Sequence, residues 1–67
     1  MGSEEEIGKK IKEIRQKSEM TQLEVAEKAG IHVNYYARIE RGEIVPSWKI
    51  LDKLAKILKV DLNITLR

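Results

Sequence analysis

The side chains best suited to binding a partner fall on one face of a short helix predicted at residues 33–41. At about 100° per residue, that face carries Val33, Asn34, Ala37, Arg38 and Arg41. It presents an amide, two guanidinium groups and two small apolar groups, with no acid. Amides and guanidinium groups form bidentate hydrogen bonds with planar polar groups. The face is therefore suited to recognising a partner through hydrogen bonds. The same composition is also typical of an ordinary solvated surface, and its surroundings must decide between the two.

The sequence lacks the residue combinations that catalysis or metal binding would need. It has no cysteine, which excludes disulfides, thiolate metal sites and cysteine nucleophiles. Its one histidine, His32, stands at a predicted helix start, without the partners of a catalytic triad or a second metal ligand at suitable spacing. No glycine-rich phosphate loop follows a strand. We therefore expect a protein that is not an enzyme and that uses no cofactor or metal.

Two short helices separated by a glycine position the recognition face. Thr21 followed three residues later by Glu24 has the form of a capping box, which predicts a helix starting directly after the threonine. Gly30 can adopt the left-handed backbone that ends this helix, and Gly42 can do the same after the second helix. His32 is the candidate N-cap of the second helix. Helices of about ten residues rarely persist alone in water, so the flanking segments must supply a core.

The flanking segments carry apolar residues at helical spacing. Ile7, Ile11 and Ile14 form a core stripe within a first helix predicted at residues 4–18. Ser47 is the predicted N-cap of a fourth helix. The buried stripe of that helix is predicted to consist of Trp48, Ile50, Leu51, Leu54, Ala55, Ile57 and Leu58. We expect the fourth helix to pack against the first, which gives an all-α, four- to five-element helical bundle.

The last stretch of the sequence changes from helical to alternating periodicity. Val60, Leu62, Ile64 and Leu66 lie on one face of a strand predicted at residues 60–66, and polar residues alternate with them. A single strand leaves backbone groups unpaired and one apolar face uncovered. Pairing with the same strand of a second subunit would satisfy both, which predicts a homodimer. The alternative is a tail that folds back over its own helices.

Length and composition place the chain among small helical proteins. Its 67 residues form one domain. Hydrophobic residues make up 42% and charged residues 36%, which disfavours disorder. A net charge of +2 is by itself poor evidence for a nucleic-acid partner. No run approaches the roughly 18 apolar residues of a membrane span, and no signal peptide is visible, so we expect a cytoplasmic protein.

Many spaced positions of the chain resemble one known family. They are Arg15, Thr21, Gln22, Val25, Ala26, Ala29, Gly30, Ile31, Arg38, Ile39, Glu40, Arg41, Gly42, Pro46 and Ser47. The pattern, over about residues 7–60, is similar to the helix-turn-helix domain of phage repressors, Cro and the xenobiotic-response-element family, with the helix-turn-helix proper at 21–41. His32, Tyr36 and Lys59 depart from the family's usual Ser or Thr, Ile or Val, and Gly. The tail resembles the C-terminal strand of HipB-like antitoxins.

The resemblance implies double-stranded DNA as partner, with the third helix in the major groove and the second helix across the backbone. The family's base-reading positions correspond to Val33, Asn34, Ala37 and Arg38. Phosphate contacts are expected from Thr21, Gln22, His32, Tyr35, Arg41, Ser47, Trp48 and Lys49. Arg15 and Glu40 match the family's internal ion pair. The resemblance thus implies a sequence-specific transcriptional regulator, most simply a repressor.

Other functions remain open at the level of sequence. The strand tail would also suit an antitoxin-like module that binds a toxin. A third hypothesis is a helical bundle that has lost DNA binding. The Glu- and Lys-rich helices, the capping-box patterns of Ser3 with Glu6 and of Thr21 with Glu24, and the absence of phenylalanine would also suit a designed DNA-binding protein on this scaffold.

Overall fold

The computed structural model describes residues 3–58, and within them the chain forms four helices. These are α1 (Ser3–Lys17), α2 (Gln22–Ala29), α3 (Val33–Glu40) and α4 (Trp48–Ile57). The expected all-helical architecture is therefore confirmed for this part of the chain. The strand predicted at residues 60–66 lies outside the described residues, as does Lys59. None of the helices described is both long and apolar enough to cross a membrane.

Local capping determines where the two short helices begin and end. The amide of Glu24 donates to Thr21 Oγ1 over 3.0 Å, and the amide of Thr21 donates to Glu24 Oε1 over 2.8 Å. This is the predicted capping box, and α2 begins directly after it. Gly30 and Gly42 have φ angles of +71° and +78°, so both adopt the predicted left-handed conformation after a helix.

The core is centred on α3, which lies between its neighbours. Tyr36 and Ile39 of α3 are fully buried, together with Val25 of α2 and Leu54 of α4. Helix α1 packs against α3, while α2 packs against both α3 and α4. Burial of Val25, Ile39 and Leu54 contributes about 1.5–3 kcal/mol each and holds helices that would be unstable alone. The orientation of α3 is thus set by both α1 and α2.

Gly8 allows the backbone of α1 to lie in close contact with the backbone at the end of α3. This glycine is buried in the middle of α1. A Cβ atom at this position would clash with the carbonyl oxygen of Ile39 and lie 2.7 Å from that of Glu40. Glycine inside a helix normally costs about 0.5–1 kcal/mol relative to alanine, and here the close helix contact explains its presence.

One expectation about α4 was wrong. Trp48 was predicted to be buried, but it is 70% exposed. Helical side chains lean towards the N-terminus of their helix, so the side chain of this first residue extends past the end of α4. Helix α4 was also expected to pack against α1. Ile11 of α1 and Leu54 and Leu58 of α4 lie in the same buried cluster, and an apolar groove of about 350 Å³ remains open between the two helices. Its lining includes Ile7, Ile11, Ile14, Trp48, Leu51 and Leu58.

Candidate nucleic-acid interface

The outer face of α3 carries the residues singled out by the sequence. Tyr36, Ile39 and Glu40 point into the core, which turns the opposite side of the helix outward. Asn34 and Arg38 are exposed on that outer side, while Val33 and Ala37 are half-buried. Val33 also packs against the core, so only part of its side chain is accessible to a partner.

Glu43 places an acid beside this face, which the sequence had indicated to be free of acids. Arg38 Nε donates to Glu43 Oε1 over 3.2 Å, and Arg41 Nε donates to Glu43 Oε2 over 2.7 Å. The hydrogen bonds from Arg41 and Arg38 lower the pKa of Glu43, and the same carboxylate raises the pKa of Arg41. Helical periodicity could not reveal Glu43, because it lies in the loop after α3.

The backbone of this loop fixes where Glu43 sits. The Gly42 amide donates to Ile39 O over 3.0 Å, and the Glu43 amide donates to Arg38 O over 2.9 Å. This pair of bonds is the Schellman arrangement that closes a helix on a left-handed glycine. The only sequence signal for it was the glycine two residues after the end of α3.

An ion pair joins α1 to the C-terminal end of α3. Arg15 Nε donates to Glu40 Oε2 over 2.6 Å, and Arg15 Nη2 donates to Glu40 Oε1 over 3.2 Å. The two side chains are only 12% and 2% exposed. Arg15 Nη1 also donates to the carbonyl oxygen of Met20 over 2.9 Å. Arg15 therefore connects α1, the turn before α2, and α3.

Gln22 joins the same cluster from the start of α2. Its side-chain amide donates to Glu40 Oε1 over 2.9 Å. Burial acts to raise the pKa of Glu40, but the hydrogen bonds from Arg15 and Gln22 help to outweigh it, so the pKa of this carboxyl lies below its usual value. Three helices are thus linked through one buried carboxylate.

Tyr36 lies fully buried next to this cluster. Burial raises the pKa of Tyr36 far above its usual range, and the neighbouring Glu40 adds to the rise. Its hydroxyl forms no hydrogen bond within residues 3–58. The tyrosine is therefore neutral at any physiological pH and serves as part of the core.

Several of the predicted phosphate-binding residues are engaged at helix caps. Thr21 Oγ1 caps α2, and Ser47 Oγ accepts from the Ile50 amide over 3.2 Å. His32 Nδ1 accepts from the Asn34 amide over 3.0 Å, so a neutral His32 carries its proton on Nε2, where it can donate to a ligand. Trp48, Lys49 and Arg41 are exposed, and Tyr35 is half-buried.

Within residues 3–58, no group of His, Cys, Asp or Glu side chains is arranged to hold a metal ion. The polar groups on the outer side of α3 are hydrogen-bonding and positively charged groups. That arrangement can bind an anionic partner that also has planar hydrogen-bonding edges.

Comparison with known proteins gives consistent matches. A family described as "Helix-turn-helix" matches residues 11–64. The immunity repressor protein of Bacillus phage phi105 is 37% identical over 57 residues, which cover 85% of this chain and 40% of that protein. The ImmF control region 10 kDa protein of the same phage is 34% identical over 58 residues, which cover 87% of this chain and 64% of that protein. The chain thus spans less than two thirds of the length of either relative.

Proposed function

Because this chain belongs to the helix-turn-helix family, we propose that it is a repressor that binds double-stranded DNA sequence-specifically, with α3 in the major groove. The observation that carries this proposal is the division of α3 into two faces. The inner face is anchored by Tyr36, Ile39 and the Glu40 ion pair. The outer face presents Asn34 and Arg38 to solvent.

Asn34 and Arg38 are the proposed base-reading residues. Asparagine pairs bidentately with adenine, and arginine pairs bidentately with guanine O6 and N7. The two residues are four positions apart and so lie on the same side of α3. The accessible methyl groups of Val33 would contact a thymine methyl group, and the small side chain of Ala37 permits close approach.

The proposed phosphate contacts surround this face and position α3 without reading sequence. Arg41 is exposed at the end of α3, and we assign to it the strongest of these contacts. Thr21, Gln22 and His32 lie at the starts of α2 and α3, where free backbone amides favour an anion. Ser47, Trp48 and Lys49 occupy the corresponding place at the start of α4, and Tyr35 flanks α3.

Dimerisation through residues 60–66 completes the proposal. Leu58 lines the groove between α1 and α4, and the alternating apolar residues of the tail follow it closely in the sequence. We propose that the tail lays its apolar face on this groove and pairs its edge with the tail of a second copy. A groove lined by isoleucine and leucine side chains favours such an occupant, because covering it removes apolar surface from water.

The test of the function is selection of binding sites from a randomised duplex library, followed by sequencing and titration. One enriched sequence should bind at least about 10³-fold more tightly than scrambled duplex. A folded Asn34→Ala/Arg38→Ala double variant should lose the enrichment while retaining weak binding. Equal affinity of the wild-type chain for all duplexes would overturn the proposal. Copurification of a toxin with such a non-selective chain would instead support the antitoxin-like alternative.

A further inference from the structure

We propose that Glu43 is a specificity-determining residue, which holds Arg38 for base reading and weakens attraction to phosphates of any sequence. This inference rests on the proposed DNA-binding function. Its basis is the position of one carboxylate between the two arginines at the end of α3. The side chains of Arg38, Arg41 and Glu43 are 54%, 57% and 44% exposed, so the cluster lies at the surface that would meet DNA.

The pairing geometry leaves the base-reading end of Arg38 available. Glu43 accepts from Arg38 Nε, and among the described residues the two Nη groups of Arg38 form no hydrogen bond. A guanidinium group has five N–H donors in a fixed planar fork. A guanine can therefore accept from the Nη end while Glu43 retains the Nε hydrogen. In this arrangement the carboxylate limits the rotation of Arg38 and orients it towards a planar acceptor pair.

The same carboxylate opposes sequence-independent binding. Non-specific affinity comes from arginine and lysine side chains that neutralise phosphates. Glu43 partly neutralises Arg38 and Arg41 and adds a negative charge beside the proposed path of the backbone. On a duplex without the correct guanine, this loss of attraction is not compensated. On the preferred duplex, the fixed orientation of Arg38 compensates for it.

Backbone hydrogen bonds fix the position of Glu43 in the chain. They keep its side chain within reach of Arg38 and Arg41. Its amide is bonded to Arg38 O over 2.9 Å, next to the left-handed Gly42. The two arginines are held at the end of the same helix. The backbone positions of the three residues are therefore fixed relative to one another.

The experiment measures the affinity of Glu43→Gln for the preferred duplex and for scrambled duplex across a salt series. Replacing the acid with a neutral amide should steepen the salt dependence on scrambled duplex by about 0.9 in log–log slope, about threefold in affinity between 200 and 50 mM salt. Affinity for the preferred duplex should change less, so the ratio of the two affinities should fall. Glu43→Ala, which also removes the acceptor for Arg38, should reduce this ratio further.

Glu13→Gln is the matched control, because it makes the same charge change at an exposed position of α1. It should leave the ratio of affinities unchanged. Thermal melts at neutral pH should show that all variants are folded, with only small shifts from wild type, since Glu43 is at the surface. Equal tightening on both duplexes, or weaker binding of Glu43→Gln to scrambled duplex, would overturn this inference. A wild-type chain with no sequence preference would overturn the proposed function instead, so the two failures are distinguishable.

Discussion

Arg15 and Glu40 form a two-bond ion pair between α1 and the last residue of α3, with distances of 2.6 and 3.2 Å. The carboxylate is almost completely buried, and it also accepts the side-chain amide of Gln22. A buried pair contributes little net stability by itself, but removing one partner leaves an uncompensated buried charge. This cluster therefore couples the orientation of α3 to the stability of the whole fold.

Glu40→Ala should destabilise the protein by about 3 kcal/mol, because it leaves Arg15 unpaired near the core. Urea unfolding of Arg15→Ala, Glu40→Ala and the double variant measures the coupling. The double variant should lose less than the sum of the single variants, by more than about 0.5 kcal/mol. The control Glu13→Ala, at an exposed site, should stay within about 0.5 kcal/mol of wild type. Strict additivity would show that the pair does not couple the helices.

The stability of the protein should fall on the acid side of pH 4.5, because the pKa of Glu40 in the folded state lies below its ordinary value of 4.5. The folded state then binds fewer protons than the unfolded state, so stability present above pH 4.5 is lost as the pH falls through the folded pKa. Unfolding free energies from urea melts between pH 7 and pH 3 measure this loss. The unfolding free energy of Glu40→Gln should decline less steeply as the pH falls. The difference between wild type and Glu43→Gln should give the smaller part of the decline that comes from Glu43. Parallel pH profiles for wild type and Glu40→Gln would contradict the assignment.

Gly8→Ala should destabilise the protein by about 1–3 kcal/mol, the cost of forcing extra atoms into a close-packed site. The added Cβ would press on the carbonyl oxygens of Ile39 and Glu40. Helix propensity alone predicts the opposite sign, a gain of about 0.5–1 kcal/mol. Urea melts decide between the two signs. Lys9→Ala, at the neighbouring exposed position, is the control and should have little effect. A stabilised Gly8→Ala protein would show that α1 and α3 do not approach this closely.

Asn34→Ala and Arg38→Ala should each cost about 1–3 kcal/mol on the preferred duplex and relax its sequence preference at one position. Arg41→Ala is the matched comparison at the end of the same helix. It should weaken binding to all duplexes alike and reduce the salt slope by about one. Titrations on single-base variants of the site measure both effects. If Arg38→Ala weakens binding to all duplexes equally, Arg38 contacts phosphate and does not read a base. An unchanged salt slope for Arg41→Ala would show that Arg41 does not contact phosphate.

The full chain should be a homodimer that recognises an inverted repeat, with half-site centres about 10 bp, or roughly 34 Å, apart or at a multiple of this spacing. Deletion of residues 60–67 should yield a monomer with much weaker DNA binding, because two linked DNA-binding domains bind DNA more tightly than one domain does. Sedimentation equilibrium at micromolar concentration measures the assembly. A monomeric full chain that binds one asymmetric half-site as tightly as the truncated chain does would contradict the prediction.

Trp48, the one tryptophan of the chain, is 70% exposed and lines the groove, so a tail laid on the groove would cover it. Its fluorescence emission should shift to longer wavelength in a Leu62→Ser/Ile64→Ser variant, which should also dissociate into monomers. Asp61→Ser/Asn63→Ser, on the polar side of the same alternating pattern, is the control and should change neither property. A Trp48 emission that is the same in all these proteins would show that the tail does not reach the groove.

The sequence by itself determined the parts of this protein that depend on neighbouring residues. The capping box at Thr21 and Glu24, the left-handed Gly30 and Gly42, and the Ser47 cap all follow from hydrogen bonds within a few residues. Helical periodicity likewise separated the buried side of α3 from its outer side, because the period is a property of the backbone. The family pattern then identified the fold.

Only the tertiary structure decided the contacts between distant segments. Gly8 against Ile39, the exposure of Trp48 and the groove between α1 and α4 depend on how the helices cross, which periodicity does not specify. Glu43 is close in sequence to Arg38 and Arg41, but its contact with both depends on the path of the backbone through the Schellman turn, which periodicity does not specify either. A face that has no acid along its own helix thus acquires one from the following loop. The physical reason is that local hydrogen bonds set where helices begin and end, whereas side-chain contacts across the fold set what each face presents.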